Sequence, residues 1–185
     1  DDAHKIIHVV PSKGGAPPLF NSNGGRVHTR VRQRMRQLYA EQGTLPFLDA
    51  TAQRFLNEGR EAFKILELHD CMLLNQGHET ILLTWLGDSA NEAIACLLAA
   101  RGLNASVGRL GVEIENSSRD INELESILAE VGAAQSVSDD ELLANARNLI
   151  RQKWDNLLSR HLLNQTYAAS NLAVDDALEW LRSKM

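Results

Sequence analysis

The 185-residue sequence has few of the residues that mark the most easily recognised protein classes. Its two cysteines, Cys71 and Cys96, lie 25 positions apart without a C-x-x-C or Cys/His spacing, so a disulfide framework or a zinc site has little support and we expect reduced thiols. No apolar run approaches the roughly 20 residues of a membrane span, and no signal peptide is recognisable. We therefore expect a soluble, cytoplasmic protein without a membrane partner.

Positive charge is in the minority. The sequence has 19 Lys and Arg against 24 Asp and Glu, a formal net charge of -5 and a pI of about 5.7, which is unusual for a protein whose whole surface binds nucleic acid. The distribution is uneven, because residues 1–60 hold 9 cations against 5 acids and residues 61–185 hold 10 against 19. The excess lies in a run of 11 residues without acids, which contains Arg26, Arg30, Arg32, Arg34 and Arg36.

Motifs that bind a nucleotide or activate a nucleophile are also missing. No G-x-x-x-x-G-K-[ST] occurs, because Lys13-Gly14-Gly15 reverses the required order, and no G-x-S-x-G elbow is present. The acids that follow Ser138 fit an S-x-x-E capping box better than a magnesium site. Glu113 and Glu115 share one face of a predicted strand, where they could act as acid and base or form a solvated edge. We expect no catalytic residue, metal site or cofactor site in this chain.

Hydrophobic periodicity predicts an α+β or α/β fold, with a small mixed sheet packed against helices. Strands are expected near residues 5–11, 80–86 and 106–115. Residues 1–131 then form an accessory domain, and residues 138–185 form a helical lobe that is either separate or part of the same domain. The lobe is expected to contain one long helix from Leu142 to about Leu163.

A helix over residues 26–41 carries the arginine run. Its apolar residues recur at intervals of four, four and three, and we expect this stripe to anchor the helix to the body; its members are Val27, Val31, Met35 and Leu38. The arginines then occupy the outer flanks and present guanidinium groups to the phosphates of a nucleic acid. In the alternative, they pair with the acids of the remaining chain. Composition alone does not choose between the two.

Aromatic residues are few, at 5% of the chain, and two of them are candidates for stacking on bases. Trp85 precedes Gly87 and Phe20 lies in a Pro/Gly-rich loop, although core packing is the alternative for Trp85. Trp154 and Trp180 lie on apolar helix faces, and we expect them in the core. The candidate nucleic-acid-binding residues are Lys13, Phe20, Arg26, Arg30, Arg32, Arg34, Arg36 and Trp85.

Residues 6–20, IIHVVPSKGGAPPLF, resemble a segment that follows the motor in Lhr-like helicases of the DEAD/DEAH class, in superfamily 2. The likeness continues through the VHTRVRQRMR run from Val27, the Phe47-Leu48-Asp49 start of a helix and Trp85-x-Gly87, and covers roughly residues 6–115. In that family two RecA-like domains bind ATP and magnesium. The resemblance implies a C-terminal accessory region, with ATP and magnesium held by motor domains elsewhere in the parent chain. Since the sequence starts at Asp1 rather than Met, it is either a natural chain or an excised piece of a longer one, and the sequence does not choose between the two.

The resemblance and the basic helix together predict a non-catalytic accessory domain that binds DNA or RNA and helps to grip or separate strands. One alternative is a protein-interaction module that docks on the helicase motor or another partner. A third, weaker alternative is a small hydrolase using Glu113, Glu115 or a histidine. The arginines discriminate between the first two: pairing with acids inside the fold favours the interaction module, and free guanidinium groups along a groove favour nucleic acid.

Overall fold

The computed structural model of the chain describes residues 25–115, 120–134 and 136–184. The strand predicted near residues 5–11, Lys13 and Phe20 lie outside the described residues. The described elements are, in chain order, α1 (Thr29–Ala40), α2 (Ala50–Ile65), β1 (Leu73–Asn75), β2 (Glu79–Leu82), α3 (Asp88–Ala99), β3 (Ala105–Val107), β4 (Val112–Glu115), α4 (Ile121–Ala133), α5 (Asp139–Leu142), a 3-10 turn (Asp155–Leu157), α6 (Arg160–Asn171) and α7 (Val174–Lys184).

The four described strands form one sheet in the order β1-β2-β4-β3, in which every neighbouring pair is antiparallel. Helix α3 connects β2 to β3, and these two strands run in the same direction with β4 between them. The fold is therefore α+β, as predicted, although the pairing among the described strands is antiparallel where a mixed sheet was expected. The single strand predicted over residues 106–115 is wrong, because Gly108 and Gly111 form the turn of a hairpin in which the Gly108 N–H donates to the Gly111 carbonyl.

The core lies between the sheet, α3 and the last two helices. Helix α3 packs against β3 and β4, while α4 and α7 pack against each other and against α3. Fully buried aliphatic side chains from all these elements meet here, and they include Leu82, Ile94, Leu98, Ile114, Leu128 and Leu181. Each contributes about 1.5–3 kcal/mol by leaving water. Residues 138–184 share this cluster through Leu142, Tyr167 and Leu178.

Capping residues and a glycine mark the ends of three helices. The Asp49 carboxylate caps α2 by accepting the Ala52 N–H at 2.7 Å, and the Ser138 hydroxyl accepts the Glu141 N–H at 3.3 Å. Gly102 follows α3 with a φ of +79°, the left-handed conformation that favours glycine after a helix. No helix in the described ranges combines the length and the apolar composition that crossing a bilayer requires.

The long helix predicted from Leu142 to Leu163 is wrong. Helix α5 ends at Leu142, and the chain follows an irregular path until α6 begins at Arg160. Asn148 adopts a φ of +57°, and the Asp155 carboxylate accepts two backbone N–H groups at 2.8 Å each. Polar side chains that accept hydrogen bonds from nearby backbone N–H groups compete with the hydrogen bonds of a helix. This competition explains why the segment is irregular although its apolar residues recur at helical spacing.

Candidate interaction surfaces

Helix α1 lies on the body of the molecule with its apolar stripe facing outward. Val31 is 52% exposed and Met35 38%, whereas Arg32 between them is only 7% exposed. Val27 and Leu38, at the two ends of the stripe, are half-buried. The expectation that the stripe anchors the helix is therefore wrong for its two central residues. The helix is held instead by polar contacts of its buried side.

The central contact of α1 is an ion pair between Arg32 and Asp88, the first residue of α3. Arg32 Nη2 lies 2.5 Å from Asp88 Oδ1, and Arg32 Nη1 donates to the backbone carbonyl of Arg109. The second carboxylate oxygen, Asp88 Oδ2, accepts the Val27 N–H at 2.8 Å. A carboxylate at a helix N-terminus is further stabilised by the helix dipole. The Asp88 carboxylate and the Arg109 carbonyl offset the removal of the Arg32 charge from water.

Gly87, just before α3, permits the close approach of α1 to α3. The Gly87 N–H donates to the Thr29 hydroxyl at 2.9 Å, and the Asp88 N–H donates to the Val27 carbonyl at 2.9 Å. A Cβ at position 87 would lie 2.7 Å from the Thr29 nitrogen and 2.8 Å from the Val27 oxygen, which is closer than real Cβ contacts. The Trp85-x-Gly87 motif thus serves the contact between the starts of α1 and α3.

The other arginines of the run make separate contacts. Arg26 pairs with Glu92 of α3 at 2.6 Å and also donates to the Asn171 carbonyl at 2.5 Å. Arg34 pairs with Glu41 at 2.8 Å on the surface, and Arg36 donates to the His69 carbonyl at 2.5 Å.

Arg30 is exposed, and its side chain has no partner among the described residues. Four of the five arginines therefore make intramolecular contacts, three of them with acids. This is the arrangement that the interaction-module alternative predicts.

Trp85 lies inside the fold. Its ring is buried and meets Phe63 of α2 edge-on, with the ring centroids 5.9 Å apart, and Phe63 in turn stacks on Tyr39 of α1 at 5.8 Å. Strand β2 ends at Leu82, where a strand near residues 80–86 was predicted, and the φ of +57° at Trp85 is incompatible with an extended strand at that position. The ring joins α1 and α2 to the body and leaves no open face for a base.

A cleft of about 720 Å³ lies between α3 and β3 and offers little chemistry. Its polar lining includes Glu92, Cys96 and Arg147. Burial, and secondarily the Glu92 charge, raise the pKa of the Cys96 thiol to about 11, so this thiol is protonated and weakly nucleophilic at neutral pH. Glu113 and Glu115 do not line this cleft. Within the described residues no group of three His, Cys, Asp or Glu could hold a metal ion, so the hydrolase alternative gains no support.

Several large apolar side chains of the first two helices and of the connection between them are exposed to solvent. We use "the α1–α2 surface" for this group, which consists of Val31, Met35, Phe47, Phe55 and Ile65, all exposed. The Arg54 guanidinium lies over the Phe55 ring, 5.2 Å from its centroid. A solvent-facing set with two aromatic rings and a methionine has the composition of protein interfaces.

A second exposed set lies in the segment from Arg147 to Arg160, which we call the 147–160 loop. Trp154 is 65% exposed and Leu157 73%, so the prediction that Trp154 belongs to the core is wrong, while Trp180 is half-buried against it. The sequence contains a local excess of positive charge here, because these 14 residues hold four cations and one acid, whereas the whole chain is acidic. The helical spacing of the apolar residues led instead to the prediction of a buried helix.

Comparison of the chain with protein-family models, with curated proteins and with solved structures returned no match.

Proposed function

We propose that this chain is a non-catalytic accessory domain of an ATP-dependent nucleic-acid helicase, and that it docks through the α1–α2 surface on the motor domains. The helicase association is supported by the resemblance of residues 6–115 to the segment that follows the motor in Lhr-like helicases. The docking role is supported best by one observation, the orientation of α1. Its central arginine is buried on Asp88, and its apolar residues face solvent.

The α1–α2 surface has the physical properties of a docking face. Phe47, Phe55 and Met35 belong to the residue types that are enriched in interface cores. Burial of each large apolar side chain against a partner releases about 1.5–3 kcal/mol, and Arg54, over Phe55, is placed as a rim residue. The inner faces of both helices are already used by the Tyr39, Phe63 and Trp85 rings.

The proposal assigns different roles to the motor domains and to this chain. In the proposed assembly the motor domains bind ATP and magnesium, and this chain supplies a rigid attachment that passes force to the bound strand. We place the assembly in the cytoplasm.

The direct test uses the two motor domains that the proposal requires in the parent protein. We expect the separately expressed motor to bind this chain in isothermal titration calorimetry, and Phe55→Ser to weaken binding at least about 10-fold, as loss of a central apolar anchor does. Ile121→Ser, at an exposed apolar position on α4, is the matched control and should leave the affinity unchanged. Equal affinities for wild type and Phe55→Ser, or a gene without an upstream motor, would contradict the proposal.

A second candidate function is direct contact with DNA or RNA through the outer flank of α1. It is favoured by the side chain of Arg30, which is exposed and without a partner in the described residues. Arg34, one turn later, is also exposed but pairs with Glu41. The double variant Arg30→Ala/Arg34→Ala should lower the salt dependence of oligothymidylate binding by about 1.4 in log–log slope. Arg54→Ala is the control, and an unchanged slope in the double variant would exclude this candidate.

A further inference from the structure

The 147–160 loop has a fixed backbone although it is neither helix nor strand over most of its length. Asp155 is buried, and its Oδ2 accepts the N–H groups of Arg151 and Gln152, each at 2.8 Å. At the end of the loop, the Arg160 guanidinium donates to the carbonyls of Leu143 at 2.7 Å and Ala146 at 2.9 Å. The Asp155 bonds fix the middle of the loop, and the Arg160 bonds attach its end to the chain just before it.

The loop presents an indole ring to solvent. Trp154 precedes the 3-10 turn, and 65% of the residue is exposed. Lys153 Nζ lies over one face of the ring, 4.6 Å from its centroid, which leaves the other face for a flat ligand. Ile150 and Leu157 are exposed on either side of it in sequence. An ordered loop that keeps a tryptophan in water has the form of a stacking platform.

The loop is also cationic, and the acids nearby are engaged. Its cations are Arg147, Arg151, Lys153 and Arg160. The only acid in the loop, Asp155, binds backbone N–H groups. Glu92 accepts the Tyr167 hydroxyl, on whose ring Arg151 lies, and Asp140 accepts from Asn164 and pairs with His161. In a protein of net charge -5, this local excess of positive charge is complementary to a polyanion.

The combination of stacking and charge favours one polyanion. A single-stranded nucleic acid offers a π-face on every base and a phosphate on either side of it, so an aromatic platform flanked by cations meets both requirements. An anionic membrane is less well matched, because interfacial anchors are amphipathic helices and the helical part of this loop is a three-residue 3-10 turn.

We propose that the 147–160 loop binds single-stranded nucleic acid, with one base stacked on Trp154 and with Arg147 and Lys153 contacting the flanking phosphates. The inference shares its ligand class with the second candidate function. It places the contact on a different part of the chain from α1, and the two can be tested separately.

The test measures binding of a fluorescently labelled 15-nucleotide oligothymidylate to the full chain by anisotropy. We expect Trp154→Ala to weaken binding about 10-fold and Trp154→Phe to restore most of the affinity, since a phenyl ring still stacks. Trp180→Phe is the matched control. In a salt series, Arg147→Gln/Lys153→Gln should reduce the log–log slope by about 1.4. Circular dichroism of each variant confirms the fold.

The outcomes separate the proposals. Unchanged affinity in Trp154→Ala overturns the loop site, and the α1 candidate survives if Arg30→Ala/Arg34→Ala weakens binding. Absence of oligothymidylate binding by the wild-type chain overturns both. Sedimentation with anionic phosphatidylglycerol vesicles that is lost in Trp154→Ala, while oligothymidylate affinity is retained, would assign the loop to a membrane and also overturn the proposal.

Discussion

Helix α1 and the 147–160 loop are the two most cationic stretches of the described chain, and they use their charge in opposite ways. In the arginine run from Arg26 to Arg36, which includes most of α1, four of five arginines bind groups of the same molecule, and the apolar residues Val31 and Met35 face outward. In the loop, a tryptophan expected in the core faces outward beside lysine. Arginine density in a sequence therefore does not indicate which stretch is free to bind an external anion.

The difference arises from where the acids lie. Helix α1 crosses the start of α3, where Asp88 and Glu92 face it one turn apart, so long-range partners neutralise Arg26 and Arg32. The acid of the loop, Asp155, is local and is occupied by backbone N–H groups. Because Asp155 serves as a backbone cap, Arg147 and Lys153 have no acid partner among the described residues, whereas Arg151 and Arg160 bind Tyr167 and backbone carbonyls.

Trp85, which is buried, and Trp154, which is exposed, give the largest predicted contrast. Trp85→Ala should lower the free energy of unfolding by about 3–5 kcal/mol, because it leaves a cavity beside Phe63. Trp154→Ala should change it by less than about 0.5 kcal/mol. Urea denaturation followed by circular dichroism measures both, and a Trp154→Ala loss comparable to that of Trp85→Ala would place the loop in the core.

The buried arginine gives the next contrast. Arg32→Ala should destabilise the fold by about 3 kcal/mol, because it leaves the partly buried Asp88 carboxylate without its ion partner. Arg34→Ala on the same helix removes an exposed pair with Glu41 and should cost at most about 1 kcal/mol. The comparison would fail if both variants had the same urea midpoint.

The glycine at the start of α3 tests the close approach of α1. Gly87→Ala should destabilise the protein by about 2 kcal/mol, since the added Cβ meets backbone atoms of Val27 and Thr29 that have no rotamer freedom. Gly25→Ala is the control, because a Cβ there meets nothing within 4 Å. Thermal melting compares the two, and equal midpoints would show that α1 does not dock in this way.

Removal of the Asp155 carboxylate, which fixes the backbone of the 147–160 loop, should have the smallest effect on stability. Asp155→Ala removes the acceptor of two backbone N–H groups, and we expect a loss of about 1–2 kcal/mol together with faster proteolysis between residues 147 and 160. Asn156→Ala, at the exposed neighbouring position, should leave both unchanged. Proteolysis that is no faster in Asp155→Ala than in the control would show that the loop is held by other contacts.

Local signals in the sequence were sufficient for part of this structure. The α+β class and the caps at Asp49 and Ser138 depend on residues close to one another in the chain, and all are confirmed. The hairpin turn at Gly108–Gly111 lies where a single strand over residues 106–115 was predicted. These features require no knowledge of distant partners.

The surfaces could not be predicted in the same way. The stripe through Val31 and Met35 indicates an amphipathic helix, yet it does not say whether the apolar or the polar side faces the body. That depends on Asp88, more than 50 residues away in the chain. Trp154 likewise follows a helical pattern that local bonds to Asp155 override. Both errors come from reading a periodic pattern as evidence of burial.

The most direct test of the account is a double-mutant cycle on Arg32 and Asp88, because the orientation of α1 depends on this pair. Urea unfolding of Arg32→Ala, Asp88→Ala and the double variant should give a coupling free energy of about 2 kcal/mol or more, against less than about 0.5 kcal/mol for the matched Arg34 and Glu41 cycle on the surface. Equal and small couplings in the two cycles would contradict the account, because Arg32 would then be as free for an external partner as Arg34.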